Sequence, residues 1–390
     1  MRKKRFVYSL IIFVLFFICM HSFAYADSIS RLLGKNDAVL IGTDAGKILY
    51  KKNIYQKLVP ASSLKVITAL AAINYFGEDF YFKTDFYVTN DNNLKVKGYG
   101  DPFLISQAID DATSDVAKKI NSINDVILDV SYFKPAEING NGKSFHAYES
   151  LNGALCANFN SITFKKKGKG YISAEAQTPL LPFVMDRVIS SGMTKGRISL
   201  TPDYDKNAIY AGKLLGYFLK KHHCNIRGKV KLGEINSAKD ELIHTFYSPY
   251  SLNKVIRYML YYSNNYVANQ LFLATGAKKY GSPADLEKGA KAIYEYLGTS
   301  GLKIDEGSGL SRENGVSAAK MYRILLKFFP YYKLMKKRGN DYYKTGTLNG
   351  VRARIGYLKK KDKLFPYVII LNDNWGNIYK VIKAVRNKIG

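Results

Sequence analysis

The sequence predicts an α/β fold that is interrupted by a long β-rich insert. Short β-prone runs and an apolar helical segment occupy the first part of the chain, up to about residue 73. Helical periodicity and β-prone runs return after residue 250. Between these parts, from about residue 85 to 242, short alternating segments are separated by turn clusters. Because the two outer parts have the same character, we expect them to form one domain in which the chain ends pair in one sheet.

The first part begins with a predicted hairpin and continues into a helix. Residues Asp37–Gly42 and 47–50 are β-prone and flank an Asp/Gly turn at 44–46. Pro60 then precedes a serine and an Ala/Leu-rich run, which is typical of a helix start. Residues 62–73 are apolar on almost every side, so this helix is predicted to be buried.

The part after residue 250 completes the predicted domain. An apolar stripe over residues 251–276 predicts helical structure that is interrupted at 263–265. Residues 351–358 and 364–371 predict a second hairpin, and residues 378–389 a final helix with one apolar face. Packing of that face on the sheet is favoured over contact with a membrane. We therefore expect the domain to consist of residues 27–85 and 246–390, and the insert of residues 86–245.

Residues 1–26 have the pattern of a secretory signal peptide. Basic residues at positions 2–5 precede an apolar run from Phe6 to Met20, and Ala24 and Ala26 mark a small-residue cleavage site. The run is short for a membrane-spanning helix, and a retained anchor is the alternative. We expect an exported, periplasmic or extracytoplasmic protein that is soluble or peripheral to the membrane.

The composition restricts the class of protein. The chain of 390 residues is 47% hydrophobic and carries a net charge of +28 at pH 7. A disordered chain is therefore excluded. The charge indicates an anionic neighbour such as a wall polymer or a membrane surface, although an AT-rich genome would also make lysine abundant. After export two cysteines remain, Cys156 and Cys224, and the sequence fits either one bridge or two buried thiols.

Several kinds of site are missing from the sequence. The histidines lack zinc-binding spacing, and neither a glycine-rich phosphate loop nor the G-x-S-x-G turn of a Ser-His-Asp hydrolase occurs. We therefore expect no metal and no cofactor. Nucleic acid is suggested only by the charge, and export together with the lack of a binding motif argues against it as a partner.

A serine and a lysine at the start of the first helix form a candidate catalytic pair. Ser62 and Lys65 share one helix face, one turn apart, so the lysine can serve as the base that a serine nucleophile needs. A buried, apolar helix disfavours the charged lysine, as this role requires. Ser-x-x-Lys recurs in the chain, but only this copy follows a proline at the start of a buried helix. An ordinary helix-starting serine is the alternative.

Two further motifs follow in order. Ser263-Asn264-Asn265 interrupts the second helical stripe, and Lys344-Thr345-Gly346 occurs once and leads into the β-prone run at 351–358. Taken separately, the Ser263 motif has the alternative interpretation of an ordinary helix-breaking turn, and Lys344 that of a charged residue at an exposed strand edge. Their order and context, together with Ser62-x-x-Lys65, favour a shared catalytic role.

The three motifs resemble those of penicillin-recognising serine enzymes. Residues 100–102, 307–312 and 344–351 resemble segments of the D-alanyl-D-alanine carboxypeptidase/endopeptidase family, the low-molecular-mass class C penicillin-binding proteins, and residues 128–133 and 158–160 resemble its insert. The resemblance covers nearly the whole chain after residue 26. It implies an α+β domain like that of serine β-lactamases and transpeptidases, with an antiparallel sheet flanked by helices. Glu306 stands where the family usually has aspartate.

The resemblance also implies an activity and roles. It implies a serine D-Ala-D-Ala carboxypeptidase that acts on peptidoglycan stem peptides and is inhibited by β-lactams. Ser62 would form the acyl-enzyme, Lys65 would be the general base, and Ser263 would pass a proton to the leaving D-alanine. The implied substrate-binding residues are Asn265, Lys344, Thr345, Gly346 and Thr347.

Other functions stay open at this point. An endopeptidase would use the same catalytic residues. A β-lactamase is the runner-up, and the serine at position 263 and the long insert argue against its class C form. A non-catalytic wall-binding protein of the same fold is a further alternative, against which the intact motifs argue.

Overall fold

The structure, a computed structural model, describes residues 29–142 and 144–389. The predicted signal peptide, residues 1–26, lies outside the described residues. The chain divides into two compact units. Of the described residues, unit 1 comprises those up to Ser63, Ser300–Lys303 and those from Gly315 onwards, and unit 2 comprises Leu64–Thr299 and Ile304–Asn314.

The strands are numbered in chain order. Those of unit 1 are β1 Asp37–Gly42, β2 Ile48–Lys52, β3 Lys57–Leu58, β14 Leu302–Lys303, β15 Gly315–Ser317, β16 Lys336–Arg338, β17 Asp341–Leu348, β18 Val351–Lys360 and β19 Lys363–Leu371. Those of unit 2 are β4 Tyr81–Val88, β5 Leu94–Gly98, β6 Ser122–Ile123, β7 Val126–Asp129, β8 Ser161–Lys167, β9 Gly170–Ser173, β10 Lys195–Ser199, β11 Asn225–Ile226, β12 Val230–Leu232 and β13 Glu241–Ser251.

The α-helices are numbered in the same way. Unit 2 contains α1 Lys65–Phe76, α2 Ser106–Ala117, α3 Met185–Ser190, α4 Tyr204–Lys221, α5 Leu252–Tyr262, α6 Asn265–Tyr280 and α7 Leu286–Leu297. Unit 1 contains α8 Ala318–Phe328 and α9 Ile378–Ile389. A 3₁₀ turn, Ala61–Leu64, directly precedes α1.

Unit 1 is built on a six-stranded antiparallel sheet in the order β16-β17-β18-β19-β1-β2. Both predicted hairpins are present, and β1 pairs with β19 so that Asp37 lies opposite Leu371. The two ends of the chain therefore pair in one sheet, as the sequence predicts. A small sheet, β14-β15-β3, belongs to the same unit.

The C-terminal helix covers one face of this sheet. Its residues Ile378, Val381 and Val385 are buried and join a hydrophobic cluster with sheet residues such as Val39 and Ile369. The apolar face of α9 thus packs on the sheet, which confirms the favoured interpretation of its periodicity.

Unit 2 contains a five-stranded mixed sheet and a group of helices. The sheet has the order β12-β7-β5-β4-β13, and its core continues into α2 and α4 through residues spaced one helical turn apart, such as Ala211, Leu215 and Leu219. Since α2 and α4 lie within residues 86–245, the predicted β-rich insert also contains helices that the sequence analysis did not identify. Cys156 and Cys224 are buried free thiols.

The predicted domain boundaries fall inside strands. The boundary at 85/86 lies in β4 and the boundary at 245/246 lies in β13, and these two strands pair with each other. The division into domains at these positions stays a prediction. Among the described residues, no helix is both long enough and apolar enough to cross a membrane.

Candidate active site

In unit 2, Lys65 is the first residue of the apolar helix α1. Its side chain is fully buried, as are those of the helix residues that follow it up to Ile73. The Nζ atom donates a hydrogen bond of 2.8 Å to Oδ1 of Asn265 and one of 2.7 Å to the backbone oxygen of Ser308. Because a buried amine is costly without acceptors, these contacts fix where the Nζ atom lies. The structure therefore brings together two predicted site residues, Lys65 and Asn265.

Ser263 lies at the break between helices α5 and α6. Its backbone adopts the left-handed conformation, with φ 57° and ψ 38°, and this conformation ends α5. The side chain of Asn264 then caps α6 by accepting a hydrogen bond from the backbone N–H of Val267. Asn265 is the first residue of α6, and its Nδ2 atom donates to the backbone oxygen of Tyr148 at 3.3 Å. The Ser-x-Asn motif is thus a helix break, as predicted.

A buried carboxylate holds the loop that supplies the second acceptor for Lys65. Glu306 is fully buried and accepts hydrogen bonds from the backbone N–H groups of Ser308 and Gly309 at 2.7 and 2.6 Å. It also accepts one of 2.8 Å from the side chain of Asn314. These bonds hold the peptide whose carbonyl contacts Lys65.

Two side chains fix the same loop from the helices. Oδ1 of Asn269, on α6, accepts from the backbone N–H of Gly307 at 2.7 Å. The hydroxyl of Thr68, on α1, donates to the backbone oxygen of Gly307 at 2.6 Å. Sequence reasoning missed both residues, although Thr68 and Asn269 are the polar residues one turn after Lys65 and Asn265, and that spacing is the available signal.

In unit 1, Ser62 lies in the 3₁₀ turn Ala61–Leu64 and is half-buried. Ala61 has a φ of 46°, an uncommon conformation for alanine, and the neighbouring Ser63 donates its hydroxyl to the backbone oxygen of Pro60 at 2.8 Å. The helical stretch continues from this turn into α1 without a gap in the chain.

Strand β17 carries the Lys-Thr-Gly motif beside the segment that contains Ser62. A Cβ atom added to Gly346 would lie 2.4 Å from the backbone oxygen of Pro60 and 3.1 Å from the backbone nitrogen of Ser63. Only glycine allows this approach, because a side chain would displace the turn. Unit 1 therefore brings Gly346 next to the predicted nucleophile segment.

The side chains of this motif alternate in exposure. Lys344 and Gly346 are buried, whereas Thr345 and Thr347 are exposed. On one side β17 pairs with β18 along its whole length, and on the other β16 pairs with it only as far as Tyr343. Within the described part of unit 1, no strand pairs with that second edge from Lys344 onwards. A peptide can add to such an edge as an extra strand.

Lys344 is buried in an environment that disfavours its charge. Its side chain is 2% exposed, and its Nζ atom donates to the backbone oxygen of Thr345 at 2.7 Å. Burial, and secondly the positive charge of Lys336, lower the pKa of Lys344 from 10.5 to about 7. A negatively charged group that bound nearby would therefore raise the pKa of Lys344 and favour its protonated form.

The chain is similar to known D-alanyl-D-alanine carboxypeptidases. A model of the D-Ala-D-Ala carboxypeptidase 3 (S13) family matches residues 24–146 and 192–329. A D-alanyl-D-alanine carboxypeptidase of Actinomadura sp. (strain R39) is 24% identical, with 87% of this chain and 78% of that protein covered. The D-alanyl-D-alanine carboxypeptidase DacB of Haemophilus influenzae is 25% identical, with 69% and 65% covered.

Solved structures show the same fold. The crystal structure of penicillin binding protein 4 (dacB) from Haemophilus influenzae superposes with a TM-score of 0.73 at 21% identity, covering 90% of this chain and 93% of that one. The Bd3459 predatory endopeptidase from Bdellovibrio bacteriovorus has a TM-score of 0.54 at 17% identity, covering 90% and 91%.

These findings confirm the α+β fold and the enzyme class predicted from the sequence. The matched segments of the family model cover more than half of the chain, on both sides of the insert and within it. The chain belongs to the D-Ala-D-Ala carboxypeptidase 3 (S13) family of serine peptidases.

Proposed function

We propose that this protein removes the terminal D-alanine from peptidoglycan stem peptides through an acyl-enzyme on Ser62. Membership of the family gives the reaction class. The observation that supports the assignment most strongly is the position of Lys65. It is a fully buried lysine held by Asn265 and by the Ser308 carbonyl, three residues after a serine on one continuous helical stretch.

In the proposed reaction, Oγ of Ser62 attacks the carbonyl carbon of the penultimate D-alanine, and the hydroxyl proton passes to Lys65. The carbon–nitrogen bond then breaks as Ser263 delivers a proton to the nitrogen of the leaving D-alanine and takes one from Lys65. Water then attacks the resulting ester and gives a proton to Lys65, and that proton passes to Oγ of Ser62 as the ester bond breaks, which restores the serine.

The remaining motif residues are proposed to bind the substrate. Asn265 orients the peptide amide, since it begins α6 beside the amine of Lys65. Lys344 and Thr345 bind the terminal carboxylate, because β16 pairs with β17 only as far as Tyr343 among the described residues of unit 1 and the pKa of Lys344 is lowered. Backbone N–H groups of Ser62 and Thr347 stabilise the oxyanion, and Gly346 keeps the strand close to the serine segment.

β-Lactams and the site of action follow from the same proposal. A β-lactam carries an acylating carbonyl and a carboxylate, so Ser62 would be acylated by it and the enzyme inhibited. A stem-peptide substrate requires export, which the pattern of residues 1–26 predicts. An endopeptidase reaction on cross-linked peptides needs the same residues and a wider entrance for the leaving group.

The proposal is tested by measuring D-alanine release from an N-acylated tripeptide that ends in D-Ala-D-Ala. The wild-type protein should release D-alanine, and the Ser62→Ala variant should not. Ser63→Ala is the matched control, because Ser63 is the adjacent serine and its hydroxyl already donates a hydrogen bond to the backbone oxygen of Pro60. The same peptide ending in L-Ala-L-Ala should not be cleaved. Release by Ser62→Ala at the wild-type rate would disprove the proposal.

A cross-linked peptide dimer separates the two possible products. Cleavage of the dimer at a rate comparable to the tripeptide would show an endopeptidase, and no cleavage would restrict the enzyme to the carboxypeptidase reaction. Rapid turnover of a β-lactam, with no lasting adduct, would instead identify a β-lactamase.

A further inference from the structure

Unit 1 contains a basic cavity of about 620 Å³ between helix α9 and the ends of strands β16, β17 and β18. Its size is within the range of small-molecule binding sites. The cationic side chains that line it come from β16, β18 and α9: Arg338, Arg354, Lys359, Lys360, Lys383 and Arg386. None of these residues belongs to the motifs discussed above.

Among the described residues that line this cavity, Asp341 is the one with an acidic side chain, and its carboxylate already accepts hydrogen bonds. It is 2% exposed, and its Oδ2 atom accepts hydrogen bonds from Arg354 at 2.6 Å and from Arg386 at 3.2 Å. Its Oδ1 atom accepts from the hydroxyl of Tyr367 at 2.8 Å. One carboxylate is therefore shared by two guanidinium groups, and the cavity retains a positive excess.

A neighbouring cavity extends the same positive surface. It has a volume of about 340 Å³, shares Asn340 and Lys359 with the first, and adds Lys337 and Lys361. The first cavity also offers apolar contact, because Tyr379 is 80% exposed at its wall and Ile382 lines it. Its chemistry thus fits a ligand with several negative charges and a short uncharged part.

We propose that this cavity binds a small polyphosphate, that is, a phosphate-bearing anion with several negative charges. Several arginine and lysine side chains on one concave wall suit an oxyanion that carries more than one charge. Arg354 is 9% exposed, so a flat membrane surface would not contact it. The site is independent of the chemistry proposed at Ser62.

Binding is tested by isothermal titration of the protein with sodium tripolyphosphate at about 150 mM salt, where weak surface attraction is screened. The test variant is Arg338→Gln/Lys359→Gln/Lys383→Gln, which leaves the Asp341 network in place. The matched control is Lys165→Gln/Lys166→Gln/Lys167→Gln, which removes the same charge from an exposed strand end in unit 2. Thermal melting verifies that both variants are folded. If the cavity variant is not folded, the single substitution Lys383→Glu replaces it.

The wild-type protein should bind one tripolyphosphate saturably, and the cavity variant should bind at least tenfold more weakly, as expected for the loss of three charged contacts. The control variant should bind within about twofold of the wild type. Lack of saturable binding, or equal weakening in both variants, overturns the proposal. A separate experiment measures the binding of the same three proteins to vesicles of phosphatidylglycerol and phosphatidylcholine. If vesicle binding depends on the cavity residues and tripolyphosphate does not bind, the cavity is a membrane-docking surface and the proposal is overturned.

Discussion

The two lysines of the proposed catalytic machinery are both buried, yet their surroundings differ. In unit 2, Lys65 donates to the side chain of Asn265 and to the carbonyl of Ser308, and Glu306 holds that carbonyl in place. In unit 1, Lys344 donates to the backbone of its own strand, and its pKa is lowered to about 7 by burial and by Lys336.

This difference indicates two different tasks. A base that takes and returns one proton needs a fixed position, which a hydrogen-bonded scaffold supplies. A residue that recognises an anion suits a site where burial disfavours its charge before binding, because the negative charge of the anion then favours the protonated form. Lys65 fits the first task and Lys344 the second, and the predictions below separate the two.

The largest effect is expected from removing the amine of Lys65. Lys65→Met keeps the length of the side chain and removes the base, so acylation of the protein by benzylpenicillin should slow about 10³-fold. Stopped-flow or quenched intact-mass measurements give this rate. Acylation within threefold of the wild type would show that Lys65 is not the base.

The next largest effect should come from the carboxylate that holds the loop. Glu306→Gln replaces an acceptor of several N–H groups by an amide with one acceptor oxygen, so the free energy of unfolding should fall by about 3 kcal/mol. Chemical denaturation measures the loss. Glu306→Asp retains the charge on a shorter side chain, so it should lose less of the free energy of unfolding. Equal stability of Glu306→Gln and the wild type would contradict the role of Glu306 in holding the loop.

Gly346→Ala tests the close approach in unit 1. The new methyl group would meet Pro60 and Ser63, so we expect a loss of about 2 kcal/mol in stability. Acylation by benzylpenicillin should slow at least tenfold as the serine segment moves. Gly315→Ala is the matched control, since its nearest neighbours would lie at 3.6 and 3.7 Å and its stability should change little. Equal effects in both variants would refute the explanation.

The smallest effect concerns the pH dependence of substrate binding. The pKa of Lys344 in the folded protein is about 7, below its ordinary 10.5, so above pH 7 the free enzyme must take up a proton to bind a carboxylate. The KM for a D-Ala-D-Ala peptide should therefore rise by up to about tenfold per pH unit above pH 7. Steady-state assays across this range measure it.

Two controls sharpen this prediction. Lys344→Arg stays charged throughout, so its KM should lose this rise. A substrate with a C-terminal amide lacks the carboxylate and should show no rise with the wild-type protein. A rise of equal size with the amide substrate would assign the pH dependence to another group.

The sequence predicted those parts of the fold and site that depend on local pattern. The hairpins follow from alternation around turn residues, and the break at Ser263 follows from polar residues inside an apolar stripe. The order of the three motifs was sufficient to suggest the family that the comparisons confirm.

The remaining parts depend on long-range packing or on signals that were present and not used. In the sequence Glu306 stands out only because the family usually has aspartate there, and only the fold shows that it is buried against backbone N–H groups. The charge of Lys336 affects Lys344 because β16 folds back on β17, with Lys336 opposite Tyr343. Helix α4, by contrast, carries apolar residues at helical spacing, and its periodicity was sufficient to predict it.

The central claim is that Ser62 forms the acyl-enzyme, and one measurement tests it most directly. The wild-type protein, Ser62→Ala and Ser63→Ala are each incubated with benzylpenicillin and analysed by intact mass and peptide mapping. We expect one lasting adduct on the wild type and on Ser63→Ala, located on the peptide that contains Ser62, and none on Ser62→Ala. An adduct on folded Ser62→Ala, or none on the wild type, would contradict the account.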